Sequence, residues 1–217
     1  MIAAFLVISL LYQSIAWAED PFTKTFVYDN AEGKLAVPLP AGTWHKVLEH
    51  ETDEMIDMGT YAADWKKGNI FLIRKAAGAV DAIVTINANI SDIDGRSLAP
   101  PDFCFIQQRR WKWHKQIATL KADTYCWGGN LARLPIRAEA EAEAWQLFME
   151  KNAASKWGIR EESAATQVRF LRWVSGRFMR IDYYFLGPKG GKPMDWKAAR
   201  AWAGTIVGKV KAGFEGG

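Results

Sequence analysis

The sequence predicts an α+β fold: a mainly antiparallel sheet with two principal helices, one of them C-terminal, packed on the sheet. Three observations predict it. Residues 22–90 are short apolar-polar alternations separated by turn residues. Two later segments, 136–154 and 195–212, carry helical periodicity instead. Between the helices, two apolar runs flank Ser175-Gly176, a strong hairpin signal. Strands, helix, hairpin, helix is the order of an α+β domain, because a doubly wound α/β chain would alternate its elements throughout.

The chain has 217 residues, 49% of them hydrophobic, with 11 Trp and 11 Phe. A chain of that size buries roughly 70% of its unfolded surface, so it folds without a metal. Residues 1–18 read as a signal peptide and 19–217 as a single domain. Residues 2–11 are an apolar run too short to span a bilayer. Ala16 and Ala18 flank Trp17 as the small residues of a cleavage site, which places cleavage after Ala18. No Lys or Arg precedes the run, so retention as an anchor stands as the alternative. The predicted location is the periplasm or the exterior.

Residues 22–28 alternate as a first strand, and Asp29-Asn30-Ala31-Glu32-Gly33 turns the chain. Residues 35–39 and 44–48 follow, separated by Pro40-Ala41-Gly42. Strands at 58–65, 70–75 and 82–90 come next, with Lys66-Lys67-Gly68-Asn69 and Ala76-Ala77-Gly78-Ala79 as connections. Ile83-Val84-Thr85-Ile86 is β-branched throughout, as a buried strand would be. In the first helix, Ile136, Ala140, Ala144, Leu147 and Phe148 share a face. Glu139, Glu141 and Glu143 fall in its early turns, where carboxylates favour the dipole, and Gly158 ends it. Asp195 caps the second helix, whose stripe is Trp196, Ala199, Ala203, Ile206, Val207, Val210 and Phe214. Its Gly204 and Gly208 read as a close-packing site on the sheet.

The opening YDNAEGKLAVPLPAGTW, a strand, a turn glycine, a strand closing on proline and then Trp44, resembles PsbP/Mog1-like domains. The IDYYF strand before an Ala-rich C-terminal helix is similar as well. The resemblance covers the two ends and has no counterpart between residues 98 and 163. It implies an α/β/α sandwich used as a binding or assembly module, with no catalytic residue to carry over.

Cys104 and Cys126 are the two cysteines. With a signal peptide they predict a disulfide, worth roughly 3–4 kcal/mol in the chain-entropy model. The loop it closes contains Arg109, Arg110, Trp111, Lys112, Trp113, His114 and Lys115. As a strand, this stretch would place Arg110, Lys112 and His114 on one face and Arg109, Trp111, Trp113 and Lys115 on the other. Tryptophan with Arg and Lys suits lipid headgroups, glycans and polyanions. The predicted partner is therefore an envelope protein, an anionic lipid or a glycan. Nucleic acid shares the chemistry but not the compartment. The competing reading buries both tryptophans in the core and leaves the cations to water.

Residues 19–100 carry net charge −5, residues 101–166 +2 and residues 167–217 +7. The strands of one sheet can interleave these segments, so the asymmetry alone does not define a surface. His45 and His50 lie among Glu49, Glu51, Asp53 and Glu54, but a strand would point the two histidines to opposite faces, which disfavours a metal site. Glu139/Glu143 and Asp92/Asp94 read as surface pairs, and GPKGGKP, residues 187–193, lacks the GK[ST] of a P-loop. No cofactor is expected. The predicted function is a non-catalytic binding or accessory protein of the cell envelope; the alternative is a hydrolase or metal-dependent enzyme with a scattered site.

Overall fold

The computed structural model describes residues 21–30, 33–57, 62–89, 104, 111–120, 123–136, 142–174, 177–187 and 191–215. The signal segment therefore lies outside the described residues, as do Arg109, Arg110, Asp92, Asp94, Glu139 and Glu141.

The fold is α+β. β1 (Thr25–Asn30) and β2 (Gly33–Pro38) form a separate hairpin. β3 (Trp44–Asp57), β4 (Ala62–Ala76), β5 (Ala79–Asn89), β6 (Trp113–Leu120), β7 (Asp123–Leu134), β8 (Ser163–Val174) and β9 (Arg177–Leu186) form one antiparallel sheet. Its order is β3-β4-β5-β9-β8-β7-β6. Two meanders, β3 to β5 and β6 to β9, are thus joined where β5 meets β9. The helices are α1 (Ala142–Ser155) and α2 (Trp196–Glu215).

Local chemistry accounts for most of these boundaries. Ala77 and Gly78 both have positive φ, the pattern of a two-residue primed turn, and Ala76 pairs with Ala79 across it. α1 ends one residue before Lys156, which takes the left-handed conformation at φ 54° in place of the expected Gly158, while the Trp157 N–H donates back to Asn152 O at 3.2 Å. Asp195 Oδ1 accepts the Lys197 N–H at 2.9 Å and so caps α2.

Side-chain alternation assigns the two faces of the sheet. On one face, Val84, Ile86, Val168, Phe170, Ile181 and Tyr183 form a core with the β1–β2 hairpin and α2. Ala199, Ala203, Ile206, Val210 and Phe214 are the buried stripe of α2, as the periodicity predicted. Each large apolar side chain so buried contributes roughly 1.5–3 kcal/mol. Tyr183 Oη donates to Pro38 O at 2.8 Å and Tyr125 Oη to Val207 O at 2.9 Å, tying hairpin and helix to the sheet. Gly213 sits against Ala36 O so closely that a β-carbon would not fit.

On the opposite face, α1 packs Ala144, Trp145 and Phe148 onto Phe71, Ile83, Ala165 and Tyr184. Trp145 meets Phe71 and Tyr184 edge to face, at centroid distances of 5.0 Å and 5.5 Å. A second small core on this face contains Cys104, Cys126, Leu171, Trp173 and Phe178.

Four expectations are corrected. Lys66-Lys67-Gly68-Asn69 is not a turn but the middle of β4, paired with β3 on one side and β5 on the other. Lys67 and Asn69 are buried there, so polar residues that read as a connection belong to a strand interior. β3 continues to Asp57 instead of ending near Leu48. Trp196 is 37% exposed and lies off the α2 stripe. Gly204 and Gly208 face solvent: a β-carbon at either would meet nothing within 4 Å, so they do not pack on the sheet.

Candidate functional site

β6 is one edge of the seven-stranded sheet, and the basic aromatic stretch leads into it. Cys104 and Cys126 form a disulfide, with Cα atoms 6.1 Å apart. Two residues further along β7, Gly128 lies directly under the Trp111 ring, with no room for a β-carbon. At the next position, a β-carbon on Gly129 would lie 2.6 Å from Trp113 Cζ2. Lys112 N–H donates to Gly129 O at 2.8 Å. Residues 111–113 are therefore held on β7 by two indoles and a backbone hydrogen bond, and Cys104 is covalently bonded to the same strand.

The strand begins only at Trp113, and that overturns the expected faces. Trp111 is half-buried against the disulfide core on the α1 face. Trp113 is buried in the α2-side core, 5.0 Å from Trp127 by centroids and under the Arg200 guanidinium. The two indoles straddle the sheet instead of sharing a face, because Lys112 occupies a bend and alternation starts after it. Lys112, His114 and Lys115 are exposed. His114 is paired opposite Gly128 and Lys115 opposite Trp127, so these two side chains leave on opposite sides of the edge. A register shift between Gln116 and Ala118 kinks the strand just beyond them.

No family model, curated protein or solved structure matches this chain.

A polar belt crosses the α1 face between its two apolar cores, and sequence reading missed it. Asp182 is completely buried. Its carboxylate accepts both Nε and Nη2 of Arg169, the second at 2.8 Å, and Gln167 Nε2 at 3.0 Å. Arg180 Nε lies 3.2 Å from its other side. Arg180 Nη2 donates to Asn87 Oδ1 at 3.1 Å, and Asn89 Oδ1 accepts the Phe178 N–H at 2.7 Å. Strand register lines these residues up: Thr85, Asp182, Arg169 and Gly128 form one row across β5, β9, β8 and β7. A carboxylate clasped by a guanidinium fork and flanked by a second guanidinium is committed to structure and is a poor general base. The signal was present in the sequence as Thr85, Asn87 and Asn89, and as Arg180 and Asp182, alternating with apolar neighbours on buried strands.

His45 and His50 share a face, contrary to the simple alternation, because a bulge between Lys46 and Leu48 shifts the register. Their partners on β4, Ile73 and Asn69, are four residues apart, so the two imidazoles do not converge. His50 Nε2 instead lies 3.4 Å from Glu143 Oε1 at the start of α1. Among the described residues, no group of three His, Cys, Asp or Glu side chains is arranged to hold a metal, and no helix is long and apolar enough to cross a membrane.

Three tyrosine hydroxyls on the α2 side are perturbed. Burial, then the charges of Glu49 and Glu51, push Tyr28 up to about 12. Burial raises Tyr125 well above its usual range against the opposing Arg172 charge. Burial and neighbouring Tyr125 raise Tyr183 as well. All three remain protonated donors at neutral pH.

Proposed function

We propose that this chain is a non-catalytic binding or accessory protein of the cell envelope, exported by its N-terminal segment. It contacts an anionic or membrane-associated partner through the basic edge of its sheet. Lys112, His114 and Lys115 are the described contact residues, continuing a stretch that begins with Arg109 and Arg110. The observation that supports this reading is the seating of Trp111 and Trp113, on either side of Lys112, against Gly128 and Gly129 of β7. Exposed cations on a preorganised segment lose less conformational freedom on binding than cations on a free loop. The competing reading is that charges and a bulge merely protect an open sheet edge from pairing with other chains.

Co-sedimentation with vesicles separates the two. Wild-type protein is expected to pellet with anionic vesicles and not with zwitterionic ones, and less so as salt rises. Lys112→Glu with Lys115→Glu should weaken that binding roughly tenfold or more, at about 1 kcal/mol per surface cation. A pull-down from detergent-solubilised envelope, run with the same pair of proteins, covers a protein or glycan partner. If neither vesicles nor extract distinguishes the variant from wild type, the edge is protective and the binding role of this surface falls.

A further inference from the structure

Among the described residues, Val27, Leu131 and Trp196 are the exposed large apolar side chains, and the fold brings two of them to one corner. Leu131 is 53% exposed because it lies two residues past Gly129, opposite which β6 begins, so β6 does not flank it. It alternates with Trp127 and Gly129 and therefore points to the α2 side. Its cross-strand partner on β8, Thr166, donates to Met194 O, just ahead of Trp196. Trp196, 37% exposed, opens α2 there. One turn later Arg200, also exposed, sets its guanidinium over Trp113, the indole seated on Gly129. Leu131 is thus bracketed by the approach to α2 on one side and by Trp113 and Arg200 on the other. Lys197 Nζ lies 5.8 Å from the centroid of the Trp196 ring, and Lys115 leaves β6 on the same side as Trp113. The corner therefore holds two apolar side chains rimmed by three exposed cations, Lys115, Lys197 and Arg200. From Trp196 to Phe214, α2 contains no Asp or Glu, and Asp195 is engaged in capping the helix.

We infer that this corner is a membrane-docking surface, with an anionic lipid bilayer as its partner. The inference rests on the basic edge proposed above and narrows it to the α2 side of β6. Trp196 and Leu131 enter the headgroup layer, and Lys115, Lys197 and Arg200 meet lipid phosphates. His114, on the opposite side of the edge, lies outside this surface. The chemistry selects the partner. An indole suits headgroup depth, because its ring is apolar and its N–H edge is polar. A cation stacked on that ring carries charge to the same depth. An anionic leaflet attracts each basic side chain near it without demanding a fixed partner geometry. Shallow docking of this kind scales with a small inserted apolar area plus that attraction. A stable protein interface would need a larger apolar core than two side chains supply.

Flotation of the full chain with vesicles made of equal parts phosphatidylglycerol and phosphatidylcholine tests this. Binding is read as the excess over vesicles of phosphatidylcholine alone. Lys197→Glu with Arg200→Glu should weaken it at least about tenfold. Leu131→Ala with Trp196→Ala should weaken it about fivefold and leave a remainder that salt removes. Lys24→Glu with Lys75→Glu reverses as much charge at exposed positions toward the opposite edge of the sheet, and should stay within about twofold of wild type. All the substituted side chains are exposed, and thermal melts should show the fold intact. If either corner variant binds as wild type, or the distant pair loses as much as the corner pairs, the inference falls. Should that happen while Lys112→Glu with Lys115→Glu still loses binding, the basic edge stands without this surface. If no anionic excess appears, yet a partner from envelope extract depends on the edge, the bilayer is overturned as the partner and the earlier reading survives.

Discussion

Along β9, Met179, Ile181 and Tyr183 turn toward α2, while Arg180, Asp182 and Tyr184 turn toward α1. β8 repeats the division, with Val168 and Phe170 on one side and Gln167 and Arg169 on the other. Both sets are buried, so two adjacent residues of one strand are held by different physics. The α2 side is stabilised by apolar area, which is nondirectional and degrades gradually when a methylene is lost. The polar belt on the α1 side, at Asp182, Arg169 and Arg180, depends on fixed partners, and a charge left without its partner there is penalised in full. The comparison therefore predicts two kinds of sensitivity in neighbouring positions.

Asp182→Asn should show the largest effect. It leaves Arg169 and Arg180 beside a neutral amide in a buried site, and the expected loss is about 3–5 kcal/mol in urea unfolding. Ile181→Val, one residue away on the other face, should cost only about 0.5–1.5 kcal/mol. Equal losses would erase the distinction between the faces.

Alkali should instead attack the apolar side. Tyr28, Tyr125 and Tyr183 all belong to the α2-side core, and all have raised folded-state pKa values. In the unfolded chain a tyrosine ionises near 10. Above that pH the unfolded state sheds protons that the native state keeps, so stability falls as pH rises toward the folded pKa. Stability should be insensitive to these groups below about pH 10 and decline progressively above it. Denaturant midpoints measured from pH 8 to 11.5 check this, and Tyr183→Phe should flatten the alkaline limb.

The smallest effect is a gain. Gly204→Ala and Gly208→Ala should each raise stability by about 1 kcal/mol, because both lie within a helix and face open space. A melt showing no gain would mean that the outer side of α2 is packed against something in solution.

How much of this was legible in advance depended on the kind of signal. The α2 stripe, its Asp195 cap, the Ala77-Gly78 turn and the Cys104–Cys126 bond follow from local rules that tertiary packing did not override. The sequence misled where a strand interior is polar. Lys67, Gly68 and Asn69 carry turn composition but lie in a central strand, beside Asn87 and Asn89. Alternation failed at the β3 bulge and at Lys112, since one irregular residue inverts every later side chain. The basic stretch was visible as composition, but not the splitting of its two tryptophans between opposite cores. That arrangement depends on two glycines of β7 that no local pattern connects to Trp111 and Trp113.

The junction of β5 with β9 bears on how the chain assembles. Every other neighbouring pair in the seven-stranded sheet is consecutive in sequence and can form locally. This seam joins residues separated by about ninety positions, as the Phe178–Asn89 and Arg180–Asn87 hydrogen bonds record, with separations of 89 and 93. Closing so long a loop makes it the slowest contact to find and the one most exposed to slippage by a residue. A purely apolar seam would tolerate such a slip. A guanidinium that must meet one particular amide does not, so the side chains crossing the seam serve as a key that admits a single alignment of the two half-sheets.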